Sequence, residues 1–108
     1  MHIRWMIRRD MPEVLAIENL SFSHPWDEDC FVRVLREANC IGMVACETHD
    51  EHSPVAGFMV YELHKTRLHL LNFAVRPSYR RQGYGRAMID KMKRKLNHER
   101  RNTLTLEV

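Results

Sequence analysis

The chain predicts an α/β (α+β) domain with a mixed, mostly antiparallel central sheet flanked by helices. Three observations carry that expectation. Two strand-like runs, Cys40 to Thr48 and Pro54 to His64, are joined by the polar turn His49-Asp50-Glu51-His52-Ser53, as in a hairpin. A third apolar run, Arg67 to Val75, leads through a loop and a helical pattern into a last strand, so Leu68 to Val108 forms one β-α-β unit with parallel strands and a right-handed crossover. Two helical segments precede the hairpin. At 108 residues and 44% hydrophobic, the chain suits one domain with its own core.

The elements follow in order. His2 to Arg8 alternates Ile3, Trp5 and Ile7 with Arg4, Met6 and Arg8, a strand with one buried face. Asp10-Met11-Pro12-Glu13 reads as a helix start: Asp10 can cap, Pro12 suits the first turn, and Glu13 closes a capping box. Val14, Leu15, Ile17 and Leu20 give that helix a buried stripe. Ser21 to Trp26 is a break containing Pro25. Asp27-Glu28-Asp29 then sets negative charge at a second helix start, with Phe31, Val34 and Leu35 on its apolar side.

The run Arg67 to Val75 is nearly continuously apolar, which suits a central strand covered on both faces. Pro77 ends it and biases Arg76 away from helix. A loop through Gly85 opens a helix to about His98, whose Met88, Ile89, Met92 and Leu96 keep the helical period. Asp90, Lys91, Lys93, Arg94 and Lys95 fall mostly off that stripe and read as a solvated face. Asn97 to Asn102 is a polar connector. Thr103 to Val108 closes the chain as a strand, with Leu104, Leu106 and Val108 on one side and Glu107 on the other.

Composition narrows the function. No apolar run approaches the roughly 20 residues needed to span a bilayer, and Met1-His2-Ile3-Arg4-Trp5 lacks the features of a signal peptide, so a cytoplasmic setting is expected. Cys30, Cys40 and Cys46 are an odd set with no C-x-x-C pair, expected as reduced, mostly buried thiols. The seven His show no metal-ligand spacing, so no metal is expected. The net charge of +3 has much of its excess from Arg76 onward, which attracts polyanions: nucleic acid or a phosphate-rich cofactor. Interleaved aromatics and any named nucleic-acid motif are missing, which disfavours nucleic acid.

Phe73 to Arg86 is the most informative stretch. Gly83 and Gly85 permit close backbone approach, and the loop ends at a helix start, where free N–H groups and the dipole favour an anion. Arg80, Arg81 and Arg86 add positive charge. A P-loop is excluded, since no Gly lies five before Gly83 or Gly85 and no Lys-Ser or Lys-Thr follows. A dinucleotide fingerprint would need a third Gly where Met88 stands. On spacing alone, a plain glycine-containing turn remains the alternative.

Val75-x-Pro77-x-x-Arg80-Arg81-x-Gly83-x-Gly85 closely resembles motif A of the GNAT superfamily of N-acetyltransferases, with signature [QR]-x-x-G-x-[GA]; the resemblance extends over essentially the whole chain. Ser23-His24-Pro25-Trp26 before an acidic helix start, and Leu106-Glu107-Val108, resemble the bacterial ribosomal-protein alanine N-acetyltransferases. The resemblance implies acetyl-CoA as cosubstrate and a protein N-terminus or peptide as acceptor. Backbone groups of Phe73, Ala74 and Val75 would pair with the pantetheine arm and acetyl carbonyl, the Val75 N–H holding the oxyanion. Arg80, Arg81, Gln82, Gly83, Tyr84, Gly85 and Arg86 would wrap the pyrophosphate. Glu107 would be the catalytic base, and Trp26 would shape the substrate side. Read from the residues alone, Glu107 is first an ordinary solvated strand residue, and Trp26 is equally a plain core aromatic. His24, His64 and His69 are weaker base candidates, and Cys40 and Cys46 weaker nucleophiles still.

The chain departs from the family in stopping at Val108, inside a strand. Members of the family continue with an Asn-containing loop, a helix and further strands, a part that usually supplies a Tyr general acid. A C-terminal truncation is therefore expected, with an open strand edge able to pair in a dimer. The same fold acting on a small-molecule amine, or serving as a non-catalytic acyl-CoA-binding domain, stays open at this stage.

Overall fold

A computed structural model describes residues 1–98 and 103–107, the side chains of 97 and 98 aside. Most of the connector Asn97 to Asn102, and Val108, lie outside the described residues. Five strands, β1 (His2–Trp5), β2 (Cys40–Cys46), β3 (Val55–Leu63), β4 (Arg67–Val75) and β5 (Thr103–Leu106), form one sheet in the order β1-β2-β3-β4-β5. β1 through β4 pair antiparallel, and β4 pairs parallel with β5 from Arg67↔Thr103 to Leu70↔Leu106. This is the mixed, mostly antiparallel sheet expected.

Three helices cover it: α1 (Met11–Ser21), α2 (Glu28–Leu35) and α3 (Tyr84–His98). Alternation along β3 feeds two cores. Val55, Phe58 and Val60 meet Val14, Ile17 and Phe31 of α1 and α2. Met59 and Tyr61 meet Met88 and Met92 of α3 on the opposite face. Phe31 anchors the first core, edge-on to Phe58 at 5.6 Å and to Trp26 at 5.0 Å. Burying such a ring contributes about 1.5–3 kcal/mol.

Several expectations are corrected. β1 stops at Trp5, and Arg8–Asp10 is a 3-10 turn. Trp5 is 71% exposed and Ile7 is exposed too, while Ile3 packs against the α3 core. Alternation identifies a face, but at a sheet edge nothing need cover it. Leu20 is 63% exposed, and the fourth buried position of α1 is Glu18. The Asp10–Glu13 box does not form. Asp10 accepts the Ile7 N–H at 2.8 Å and grips Arg4 at 2.7 and 2.8 Å. Glu13 instead accepts the Val55 N–H at 2.8 Å and pairs with Arg76 at 3.2 Å. Both carboxylates tie elements together across space because charged partners outcompete a local turn. Asp27 does cap α2, accepting the Cys30 N–H at 2.8 Å. The strand buried along most of its length on both faces is β3, the middle of the sheet, while β4 alternates.

One irregularity matters for the site. Val60 pairs with Asn72 and Tyr61 with Leu70, so Leu71 is an extra residue in β4. Leu68 and Leu70 face the α3 core, whereas Leu71 packs on the α1 core and Asn72 reaches Glu18 of α1. A bulge of this kind turns two successive side chains to one face.

Candidate active site

The loop after β4 is built tightly. Pro77–Tyr79 makes a 3-10 turn, and α3 begins at Tyr84. Arg81 (φ 65°) and Gly83 (φ 86°) are both left-handed, a conformation that turns the chain sharply into the helix. Open space surrounds Gly83, with nothing within 4 Å of where a Cβ would stand. At Gly85 a Cβ would lie 3.4 Å from Phe73 Cζ and 3.5 Å from Val75 Cγ2, so the helix start sits close against the end of β4. The Ala87 N–H donates to the Gly83 carbonyl at 3.0 Å. The N–H groups of Tyr84, Gly85 and Arg86 therefore precede the first intrahelical donor, the Ala87 N–H, and together with the helix dipole they favour an anion.

Arg80, Arg81, Gln82 and Arg86 are exposed. Among the described residues none of these three arginines has an ion-pair partner. Arg80 folds back, its Nε–H donating to the Val75 carbonyl at 3.0 Å and Nη2 reaching Ser21 Oγ at 3.4 Å. Gln82 Nε2 donates to the Ser78 carbonyl at 3.0 Å, and the Tyr79 and Tyr84 rings meet edge to face at 5.4 Å. The loop is thus held by its own side chains, leaving Arg81 and Arg86 as free charge.

Beside it lies a cavity of about 250 Å³ lined by Glu18, Phe22, Ser23, His24, Trp26, Leu71, Asn72, Phe73 and Glu107. The structure brings Trp26, Phe73 and Glu107 together there. Trp26 does two things at once: it packs on Phe31 and walls the cavity. Glu107 is fixed by its backbone, whose N–H donates to the Leu70 carbonyl at 3.0 Å, while its carboxylate is 68% exposed and 3.7 Å from His69 Nε2. His69 Nδ1 meets Thr105 Oγ1 at 2.5 Å, so His69 bridges β4 and β5 beneath Glu107. His24 is exposed beside Ser23, and His64 lies 3.2 Å from Glu62, away from this cavity.

Two wall residues escaped the sequence reading. Glu18 is 2% exposed, and its carboxylate accepts the Trp26 N–H at 2.8 Å and Asn72 Nδ2 at 2.7 Å. Asn72 Oδ1 in turn accepts the Phe73 N–H at 2.8 Å. The signal was present: Glu18 falls at i+4 from Val14, on the core side, and Asn72 interrupts an apolar strand. Polar residues at core positions are the informative exceptions.

The three cysteines are free; Cys46 is buried, while Cys30 and Cys40 are half-buried. Burial pushes the Cys40 and Cys46 thiols up, so neither is an activated nucleophile. Among the described residues no His/Cys/Asp/Glu group could hold a metal ion, and no helix is long and apolar enough to cross a membrane.

A mixed sheet with a glycine-containing turn between one strand and a helix start, and a carboxylate-lined cavity beside it, defines a class. The model of the acetyltransferase (GNAT) family matches residues 2–108, and the chain belongs to that family. Within it, the chain is 29% identical over 99 residues to the [ribosomal protein bS18]-alanine N-acetyltransferase of Escherichia coli (strain K12), covering 92% of this chain and 64% of that protein. The crystal structure of the ribosomal-protein-S18-alanine N-acetyltransferase from Escherichia coli superposes with a TM-score of 0.83 at 27% identity, covering 99% of this chain and 66% of that one. Ard1 from Thermoplasma volcanium superposes with a TM-score of 0.84 at 25% identity, covering 99% and 70%. The chain therefore spans less than two thirds of the length of the curated relatives it matches.

Proposed function

We propose that this chain acts in acetyl transfer from acetyl-CoA to an amine, the favoured acceptor being the N-terminal α-amine of a protein such as a ribosomal protein. The observation that carries this reading is the Arg80–Gly85 turn, whose left-handed Arg81 and Gly83 open α3 against the end of β4. The open space at Gly83 and the leading N–H groups of α3 suit a pyrophosphate. The bS18-alanine relatives support the choice of acceptor.

Acetyl-CoA, when bound, supplies an activated thioester carbonyl. The chain's own residues then have three tasks. The first is to hold the developing oxyanion. The Arg76 N–H donates to the Ala56 carbonyl at 2.7 Å, toward β3. Alternation along an antiparallel strand then turns the Val75 N–H to the other edge, available to an oxyanion. The second is to remove a proton from the amine, which falls to Glu107 in the cavity wall. The third is to seat the acceptor, which falls to Trp26 and its neighbours.

Proton removal also favours an α-amine. Its ordinary pKa is about 8, against about 10.4 for lysine, so at pH 7 deprotonation costs about 1 unit against about 3, a gap of about 3 kcal/mol. An exposed carboxylate acting directly or through water suffices for the former. Three free cysteines suit a reducing, cytoplasmic setting.

The test incubates the protein with acetyl-CoA and peptides that carry either a free α-amine or a blocked N-terminus with an internal lysine. Mass spectrometry should find acetylation at the α-amine. Acetylation confined to lysine, or to small amines such as spermidine added in parallel, would overturn the choice of acceptor.

A further inference from the structure

Glu18 is a buried carboxylate with no cationic partner among the described residues: two neutral donors, Trp26 N–H and Asn72 Nδ2, take one oxygen each. For stability alone this is a poor arrangement, because a buried charge without a counter-charge is costly. What it does is fix two directions. A carboxylate accepts only, so Asn72 must turn its NH₂ toward Glu18 and its carbonyl toward the Phe73 N–H. The bond from Phe73 N–H to Asn72 Oδ1 at 2.8 Å is the result. The bulge at Leu71 is what brings Asn72 onto the α1 face to make this possible.

The consequence reaches both sides of the cavity. At one end the relay pins the Trp26 backbone, and with it the segment that walls the acceptor side. At the other it occupies the Phe73 N–H, withdrawing that donor from β4's outer edge and leaving the Val75 N–H as the donor there. We propose that Glu18 is a positioning residue for acetyl transfer: through Trp26 and Asn72 it sets the acceptor wall against the strand that faces the thioester, and it decides which β4 amide is offered. This rests on the acetyl-transfer reading above and adds to it a second carboxylate, one that touches neither reacting group.

The test is a paired swap that, taken together, preserves charge and atom count. Glu18→Gln presents an NH₂ where two donors already point, so one bond of the relay must break or the Asn72 amide must turn its NH₂ onto the Phe73 N–H. Adding Asn72→Asp restores every link. The Trp26 N–H then donates to the carbonyl of the new amide at position 18. That amide's NH₂ donates to one oxygen of the new carboxylate at position 72, and the Phe73 N–H donates to the other. Amide hydrogen exchange at Trp26 and Phe73 should speed up at least tenfold at one or both positions in the single variant. It should return to within threefold of wild type in the double variant. In peptide acetylation, kcat/KM should fall about tenfold or more in the single variant with acetyl-CoA affinity within threefold, and recover in the double.

Unchanged exchange in Glu18→Gln would overturn the relay. Transfer that falls equally in the single and double variants, although exchange is restored, would reduce Glu18 to a structural residue. If the wild type transfers no acetyl group, the acetyl-transfer reading and the positioning role both fall, while exchange alone still decides whether the relay orders the two amides.

Discussion

The Arg80 Nε–H donates to the Val75 carbonyl at 3.0 Å, which closes the turn between β4 and α3 onto the strand it leaves. The three arginines of the loop are therefore unequal. Arg81 and Arg86 are exposed charges, whose pairing with an anion is worth about 0–1 kcal/mol each. Arg80 is a strut.

Removing the strut should matter more than removing the charges. Arg80→Ala should cost about 0.5–1.5 kcal/mol of stability and weaken acetyl-CoA binding severalfold, whereas Arg81→Ala and Arg86→Ala should weaken it by less. Raising the salt should shrink the Arg81 and Arg86 effects, because free charges are screened, but leave the Arg80 effect. Calorimetric titrations at low and high salt separate the two behaviours. Equal loss for all three, fading together with salt, would contradict the assignment.

Glu107 is held by its backbone, and its side chain is largely solvated. Glu107→Gln should therefore leave the melting temperature nearly unchanged and acetyl-CoA affinity within twofold. If Glu107 is the base, kcat for peptide acetylation should fall about 10²-fold or more. A variant with wild-type kcat would remove it from that role.

Asp10 governs acid stability. Burial pushes its carboxyl up, but the Arg4 guanidinium and the Ile7 N–H outweigh this and hold it below the ordinary range. A carboxyl lowered in the folded state contributes stability that is present above its unfolded value, about 3.9, and lost as pH falls through its folded value. Asp10→Ala should cost about 2–3 kcal/mol at pH 7. The gap to wild type should narrow below about pH 4 in urea melts. An equal gap at pH 3 and pH 7 would refute this origin.

Patterns that repeat over many residues were the most legible in the sequence. Arg67 to Val75 emerged as a strand with those bounds, and Met88, Ile89, Met92 and Leu96 as the inner stripe of α3, because each side chain votes for the same period. Residues whose fate depends on distant partners were not legible. Trp5 has the right alternation but lies on an edge, and Asp10 prefers Arg4 to its own helix. The bulge at Leu71 and the left-handed Arg81 carry no side-chain mark at all, though both shape the candidate site. Glu18 and Asn72 are polar residues at apolar positions, a mark the sequence reading passed over, and nothing in the sequence announces their pairing across 54 residues.

The turn at Gly83 is where the pyrophosphate of acetyl-CoA is proposed to sit, and the rest of the functional reading depends on it. Gly83 has φ 86° with open space around it, so a side chain there would meet strain in the backbone and an obstacle in the cradle, with no clash in the protein. Holding a β-branched residue in that conformation costs about 1–3 kcal/mol. Calorimetric titration of acetyl-CoA into wild type and Gly83→Val, with circular dichroism to show both folded, tests this directly. Wild type should bind saturably at one site, and Gly83→Val should bind at least tenfold more weakly. No binding by wild type, or equal binding by the folded variant, would contradict the account.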